Sequence, residues 1–262
     1  MNSPHPALFG ALLRIGDDRL VLGHRTSEWC GHAPILEEDI ALANIALDQI
    51  GQANHLLTYA GTVEGAGGAG GAGGAGRDED ALAYFRDAME YRNALLCELP
   101  NGDFGATIVR QFLFGVYSVL QWDALLQSKD DTLAGIAAKS LKEARYHVRH
   151  AGEWVIRLGD GTPESHRRTQ DAVNLLWPYT GELFMQGADE ADLVAAGITA
   201  DVSLLQLAWK AQVADVLMRA TLTAPDTAWM QRGGREGKHT EHLGHMLAEM
   251  QIVARSHPGA KW

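Results

Sequence analysis

Apolar residues recur along this chain in steps of three and four, the rhythm of an α-helix with one face turned to a core. Between Leu36 and Leu57 the set Leu36, Ile40, Ala43, Leu47, Ile50, Asn54 and Leu57 keeps that spacing, and Pro34 just ahead suits a helix start. An N-terminal helix is predicted over about Pro6–Glu28. A long helix is predicted over Asp103–Gln127, with Gly105, Val109, Phe112, Val116, Val119, Asp123 and Leu126 on its stripe. Another covers Asp131–Leu158 and stops at Gly159-Asp160-Gly161. Its stripe is Leu133, Ala137, Ser140, Ala144, His147, Ala151, Trp154 and Leu158, small enough in places for a neighbouring helix to come close. Thr162-Pro163 opens one more helix, threonine as cap and proline in the first turn, and Pro178 ends or kinks it. Shorter helices are expected over Asp189–Ala196, Val202–Leu222 and Thr240–Arg255. No segment shows the convincing period of two that marks a half-buried strand.

One segment breaks the rhythm. Gly65 to Gly76 reads GAGGAGGAGGAG. Glycine at every third position evokes collagen, but four triplets without proline form no triple helix. A flexible loop of this length reaches roughly 20 Å root-mean-square. It joins the Leu36–Leu57 helix to the region Ala81–Leu96. The residues ahead of it are too few for a domain of their own, so it reads as a loop insertion within one domain spanning 1–262. The expected fold class is all-α, a helical bundle with additional N- and C-terminal helices.

Composition narrows the function. Lys plus Arg is 22 against Asp plus Glu 33, a formal charge of −11. That sign argues against nucleic acid and against anionic membrane surfaces as main partners. The longest apolar stretch, Phe112–Leu120, is about half the ~20 residues that a membrane span needs. The N-terminus has no basic n-region followed by a cleavage pattern, so no signal peptide is expected. Two cysteines, Cys30 and Cys97, build neither a zinc site nor a disulfide framework, which suits a reducing cytoplasm.

A helical bundle raises the question of what its interior holds. A di-iron or di-manganese centre needs a Glu on two helices and Glu-x-x-His on two others. Glu236–His239 has that spacing, but Gly233, Gly234 and Gly237 surround it and do not suit a core helix. In Lys142-Glu143-Ala144-Arg145-Tyr146-His147 the histidine stands one residue late, with Tyr146 in the ligand slot. Asp48, Asp123, Glu143 and His147 are therefore candidates for a vestigial metal site; the alternative is interhelical or intrahelical pairing, or a solvated edge. His239, His242 and His245, with Glu249, repeat on the last helix and are read either as zinc ligands or as polar groups facing a partner. Arg232, Arg235 and Lys238 make a basic turn on an acidic protein, a candidate contact for an acidic partner or a ligand phosphate, or a solvated turn. The turn fails as a phosphate loop, since residue 232 is Arg and His239 stands where Ser or Thr belongs. No Gly-x-Ser-x-Gly occurs, and Cys30 beside His32 is not by itself a dyad. No catalytic residue is assigned.

Several blocks carry a resemblance. Ser27-Glu28-Trp29-Cys30-Gly31-His32-Ala33-Pro34, Asp39-Ile40-Ala41-Leu42-Ala43-Asn44-Ile45, Pro100-Asn101-Gly102-Asp103-Phe104, the Lys142–His147 run and the stretch Gly233 through Gln251 resemble the C-subunit family of phenylacetyl-CoA ring 1,2-epoxidases (PaaC type). The resemblance covers the chain nearly end to end, and the Gly-Ala repeat departs from it in a connection. It implies a ferritin-like bundle in a bacterial multicomponent monooxygenase that uses dioxygen to epoxidise the ring of phenylacetyl-CoA. It implies a partner, the A subunit, that carries the di-iron centre, with a small B subunit and an NADPH-dependent reductase. The C subunit is then a structural relative without a metal or cofactor of its own, and phenylacetyl-CoA concerns it only indirectly. The missing second Glu-x-x-His agrees with that reading on spacing alone.

Overall fold

In the computed structural model, residues 5–66 and 76–260 are described. They form ten α-helices joined by turns and short 3₁₀ segments, and among them there is no strand. The order is α1 (His5–Ser27), α2 (Leu36–Ala66), α3 (Glu79–Tyr84), α4 (Leu95–Glu98), α5 (Phe104–Leu125), α6 (Asp131–Gly159), α7 (Pro163–Leu176), α8 (Ala191–Ala196), α9 (Gln206–Arg219) and α10 (Glu241–Ser256). The four long helices pair as α1 with α2 and α5 with α6. The pairs meet along α2 and α6, and Arg19 reaches from α1 to α5. Shorter helices pack around them: α7 and α9 against α5 and α6, α4 against α1, α3 against α2 and α10.

Local chemistry sets the boundaries. The Asp103 carboxylate accepts from Ala106 N at 2.9 Å and starts α5, while Asp130 accepts from Leu133 N at 2.9 Å and starts α6. Thr162 caps α7 by accepting from Ser165 N at 3.1 Å, with Pro163 in the first turn, and the helix stops ahead of Pro178. The stretch Ala81–Leu96 breaks into short turns, and the segment 202–222 starts as a 3₁₀ turn before α9. The Gly-Ala repeat lies mostly outside the described residues. At its base Arg77 pairs with Glu64 at 2.7 Å.

The core runs from Leu12 on α1 through Leu56 on α2, Phe112 on α5 and Ala151 on α6 to Trp209 on α9. The α6 stripe faces it as expected: Leu133, Ala137, Ser140, Ala144, His147 and Ala151 are buried. The α2 stripe does so only toward its C-terminal end, where Leu57 is buried and Ile50 packs against Gly23 of α1. Leu36 is 72% exposed, Ile40 53% and Leu47 66%, whereas the buried face is Leu42, Ile45, Gln49, Gln52, Ala53 and Leu56. The reason is that α2 carries apolar residues on two sides, and the N-terminal part of the predicted row is the outer one. Near α1 the helices are in tight contact, where a Cβ on Gly23 would sit 2.9 Å from Ile50 Cγ1.

Candidate functional site

The interior of the four long helices is polar, and its donors are not those of a metal centre. On α1, Asp17, Asp18 and Arg19 are fully buried. Arg19 donates from Nη2 to Gln121 Oε1 at 2.7 Å and to Ser118 Oγ at 3.1 Å, both on α5. Its guanidinium lies 4.6 Å from the Trp122 ring centroid and 5.3 Å from that of Phe114, within cation–π range of both. Burial pulls the Arg19 pKa below its ordinary value, with Asp18 opposing. One layer along the bundle, Gln49 Nε2 on α2 donates to Gln111 Oε1 on α5 at 3.1 Å, and Gln111 Nε2 donates to Thr26 Oγ1 on α1 at 2.5 Å. Three helices thus contribute two amides and a hydroxyl to one closed set of hydrogen bonds.

These groups do not fit a di-iron centre. Ferrous and ferric ions need anionic oxygen and imidazole donors from four helices. Here the buried carboxylates of α1 are already paired, Asp17 with Arg86 and Asp18 with Arg235, and the groups beside them are neutral amides and hydroxyls and the Arg19 guanidinium, whose charge repels a cation. A partly open cavity near Arg14, Tyr117 and Arg235 measures about 20 Å³, room for a single water. Among the described residues no three His, Cys, Asp or Glu side chains converge as a metal site requires.

The four candidate metal residues fall elsewhere. His147 Nε2 lies 2.9 Å from Asp48 Oδ2, and Gln52 Nε2 donates to Glu143 Oε2 at 2.9 Å. With His150 on Glu38 at 2.8 Å and Lys139 Nζ on His55 Nε2 at 3.0 Å, these contacts form a ladder across the α2–α6 seam. Asp48, Glu143 and His147 are thus neighbours, each matched across the seam. Asp123 is not among them: it is 62% exposed on α5 and faces Arg145 at 3.6 Å.

The basic turn divides. Arg235 folds inward, donating to both oxygens of Asp18 at 2.9 and 2.8 Å. Burial works against its charge, but Asp18 outweighs burial and holds its pKa above the ordinary arginine value. His239 Nδ1 sits 2.7 Å from Glu98 Oε2, and both are buried. Glu182 ties the turn down further by accepting from the backbone N–H groups of Gly233 at 2.8 Å and Arg235 at 3.0 Å. Arg232 and Lys238 stay at the surface. His242 is half-buried, and its carbonyl accepts from Arg25 Nη2 at 2.9 Å. His245 and Glu249 are exposed. The turn's basic groups therefore act in two directions, Arg235 locking the C-terminal segment onto α1.

Sequence reading passed over Arg19, Gln49, Gln111 and Gln121. A signal was present: three charged residues, Asp17-Asp18-Arg19, interrupt an otherwise apolar helix between Ile15 and Leu20, and a charge in that position must find a partner.

Fold and interior together define a class: an all-α bundle protein whose apolar core encloses hydrogen-bonded polar groups and arginine-paired carboxylates rather than, among the described residues, a converging set of metal ligands. The chain belongs to the PaaA_PaaC family, described as phenylacetic acid catabolic protein, whose profile matches residues 1–262. It is 47% identical to the C subunit of 1,2-phenylacetyl-CoA epoxidase from Escherichia coli (strain K12) over 252 residues, 95% of this chain and 97% of that protein.

Proposed function

We propose that this chain is the C subunit of a 1,2-phenylacetyl-CoA epoxidase in aerobic phenylacetate catabolism, a non-catalytic structural subunit with a ferritin-like fold. Its partner is the A subunit, which holds the di-iron centre and carries out the oxygenation. A small B subunit and an NADPH-dependent reductase complete the complex, and phenylacetyl-CoA reacts on the partner. End-to-end likeness to a C subunit supports the assignment to the complex. The observation that supports the non-catalytic role is the bundle interior, where Arg19 and the Gln49–Gln111–Thr26 set are enclosed and the α1 carboxylates Asp17 and Asp18 are engaged by Arg86 and Arg235. A cytoplasmic location is consistent with two unpaired cysteines, and no described helix is long and apolar enough to cross a membrane.

The test is reconstitution. The purified chain mixed with the matching A subunit is expected to elute as one complex on gel filtration at micromolar concentration. Carboxylate substitutions in the A subunit abolish epoxidation, whereas Glu143→Gln and Asp48→Asn here leave turnover measurable. Two iron atoms per isolated chain after anaerobic loading with ferrous salt would point instead to a free-standing di-metal oxidase. Tight binding of phenylacetyl-CoA by the isolated chain would point to a CoA-thioester binding module.

A further inference from the structure

His239, which the sequence offers as a contact for a partner, is turned into its own chain. Its side chain is 4% exposed, and both ring nitrogens face acceptors: Nδ1 lies 2.7 Å from Glu98 Oε2, and Nε2 lies 3.1 Å from the Tyr91 carbonyl oxygen. A neutral imidazole carries a single N–H, so either neutral form sets a bare nitrogen lone pair against an oxygen. The imidazolium alone donates to both. Glu98 is fully enclosed and takes donors on both oxygens, Thr240 N on Oε1 at 2.6 Å and Asn93 Nδ2 on Oε2 at 2.8 Å, which favours the ionised carboxylate. Among the described residues, His239 is the one cation that forms an ion pair with it. The other charges around the ring are engaged elsewhere. Arg25 of α1 donates to the Glu98 and His242 carbonyls and to Glu28, Arg235 donates to Asp18, and Arg92 donates to the Met89 and Tyr91 carbonyls. Glu182, on the turn Gly181–Phe184, accepts from the backbone of Gly233 and Arg235 and adds negative charge near the ring. Glu236 and Lys238 pair with each other at the surface, Glu241 and His245 are exposed, and His242 is half-buried. The Tyr91 phenol donates to the Ala83 carbonyl, and burial keeps it protonated. Burial opposes the charge on His239, but Glu98, the Tyr91 carbonyl and Glu182 outweigh it and hold the ring's pKa above its ordinary value.

We infer that His239 is an imidazolium in the folded chain and works as a proton-operated latch: with its proton it fastens the turn 233–240 and the start of α10 to Glu98 of α4, and without it that junction opens. The inference is independent of the C-subunit reading. Loss of the proton leaves Glu98 ionised, enclosed and without a cation, the costly state of a broken buried pair. Opening the junction brings water to the carboxylate. The rest of the C-terminal segment is held by bonds that do not titrate near neutrality. Arg235 is tied to Asp18, Gln251 Nε2 donates to the Ala83 and Arg86 carbonyls at 3.1 and 3.0 Å, and Arg255 Nη2 donates to the Arg86 carbonyl at 2.9 Å. Opening is therefore confined to residues 236–246, where it uncovers Leu243 and Met246. The closed junction binds the proton more tightly than the open one, so the latch is complete below the ordinary imidazole pKa and weakens as pH rises through the folded value. Two locks thus act on one segment: the Asp18–Arg235 pair is permanent, and the Glu98–His239 pair yields to base.

Two measurements on the full-length chain test this. The first is nitrogen NMR of the His239 ring, assigned through the backbone of residues 238–240. At about pH 6.5, where an ordinary imidazole is half protonated, both ring nitrogens are expected to carry protons in nearly every molecule. A ring that is half protonated or neutral there overturns the inference. The second is hydrogen exchange read by mass spectrometry at about pH 6 and about pH 9, with labelling times scaled for the intrinsic base-catalysed rate. Protection across residues 236–246 is expected to fall at least about tenfold between the two, the factor for one pH unit of linkage, while residues 251–255 keep theirs. His239→Gln removes the titrating group, and its protection across residues 236–246 is expected to be the same at both pH values. Equal protection of the parent chain at both pH values overturns the latch, since Glu98 then keeps the junction closed by taking up a proton itself. Loss of protection throughout the chain makes the opening global and overturns it also. A pH-dependent loss that persists in His239→Gln belongs to another group and overturns it as well. If His239→Gln does not fold, the ring nitrogens and the exchange of the parent chain decide the matter by themselves.

Discussion

Asp18→Asn isolates the charge that holds the C-terminal segment on the bundle. The Asp18 carboxylate accepts from Ala94 N at 2.8 Å and from Arg235 Nη1 and Nη2 at 2.9 and 2.8 Å, and Arg19 Nη1 stands 3.8 Å away. Asparagine keeps the shape and removes the charge. Two guanidiniums then lose this counter-ion, and the other buried carboxylates are already engaged: Asp17 by Arg86, Glu190 by Arg14, and Glu182 by the backbone N–H groups of Leu95, Gly233 and Arg235. Breaking a buried pair in this way costs about 3–5 kcal/mol, because the surviving charge is uncompensated. A chain of 262 residues gains roughly 0.55 kcal/mol/K on melting at ~2.1 cal/mol/K per residue, so the midpoint should fall by about 5–9 °C. Scanning calorimetry and urea unfolding of the isolated chain measure this. Combining Asp18→Asn with Arg235→Met removes both charges of the pair, and the double variant should be less destabilised than the two single effects added together. A midpoint shift below about 2 °C for Asp18→Asn, or strict additivity in the double variant, would refute the claim that Asp18 is the counter-ion of this interior.

Other outcomes follow from single sites. Burial opposes the charge on His239, but its hydrogen bond to Glu98 outweighs burial and holds the pKa above 6.5. That stabilisation is complete below the unfolded value and fades as pH rises through the folded one. The parent chain should therefore exceed His239→Gln in stability most at about pH 6 and least at about pH 9, as read by urea melts at both. At Gly159 an added Cβ would collide with the carbonyl of Ala220. Gly159→Ala should cost about 1–3 kcal/mol by overpacking, visible as a lower urea midpoint with an unchanged slope. Cys97 is enclosed and burial pushes its thiol pKa up, whereas Cys30 is exposed. A thiol reagent at about pH 8 should titrate one cysteine rapidly in the folded chain and both in urea.

The helices were legible because their caps and punctuation are local. Asp103, Thr162-Pro163 and Pro178 mark boundaries that the folded chain respects. The α6 stripe was legible for a similar reason: with Lys139, Lys142, Arg145 and Arg149 on its other side, one orientation alone satisfies both faces. On α2 the same method placed the buried Leu57 correctly but took Leu36, Ile40 and Leu47 with it, since they match the template as well as the true core face of Leu42, Ile45, Ala53 and Leu56 does. Periodicity measures amphipathicity and is silent on which of two apolar faces a chain keeps for itself.

The polar interior escaped the sequence for another reason. Gln49, Gln111 and Thr26 are ordinary surface residue types, and they become a network only when α1, α2 and α5 bring them within hydrogen-bond reach. Once enclosed, each group costs free energy unless all are satisfied, so the set fixes the relative rotation of three helices. Arg19 acts likewise between α1 and α5. Its bonds to Ser118 and Gln121 and its place between Phe114 and Trp122 permit one register, whereas Leu or Met at position 19 would permit several. A bundle that binds metals gains that rotational order from its ligands. This chain gains it from amides, hydroxyls and one guanidinium, which fix α1, α2 and α5 relative to one another through hydrogen bonds alone.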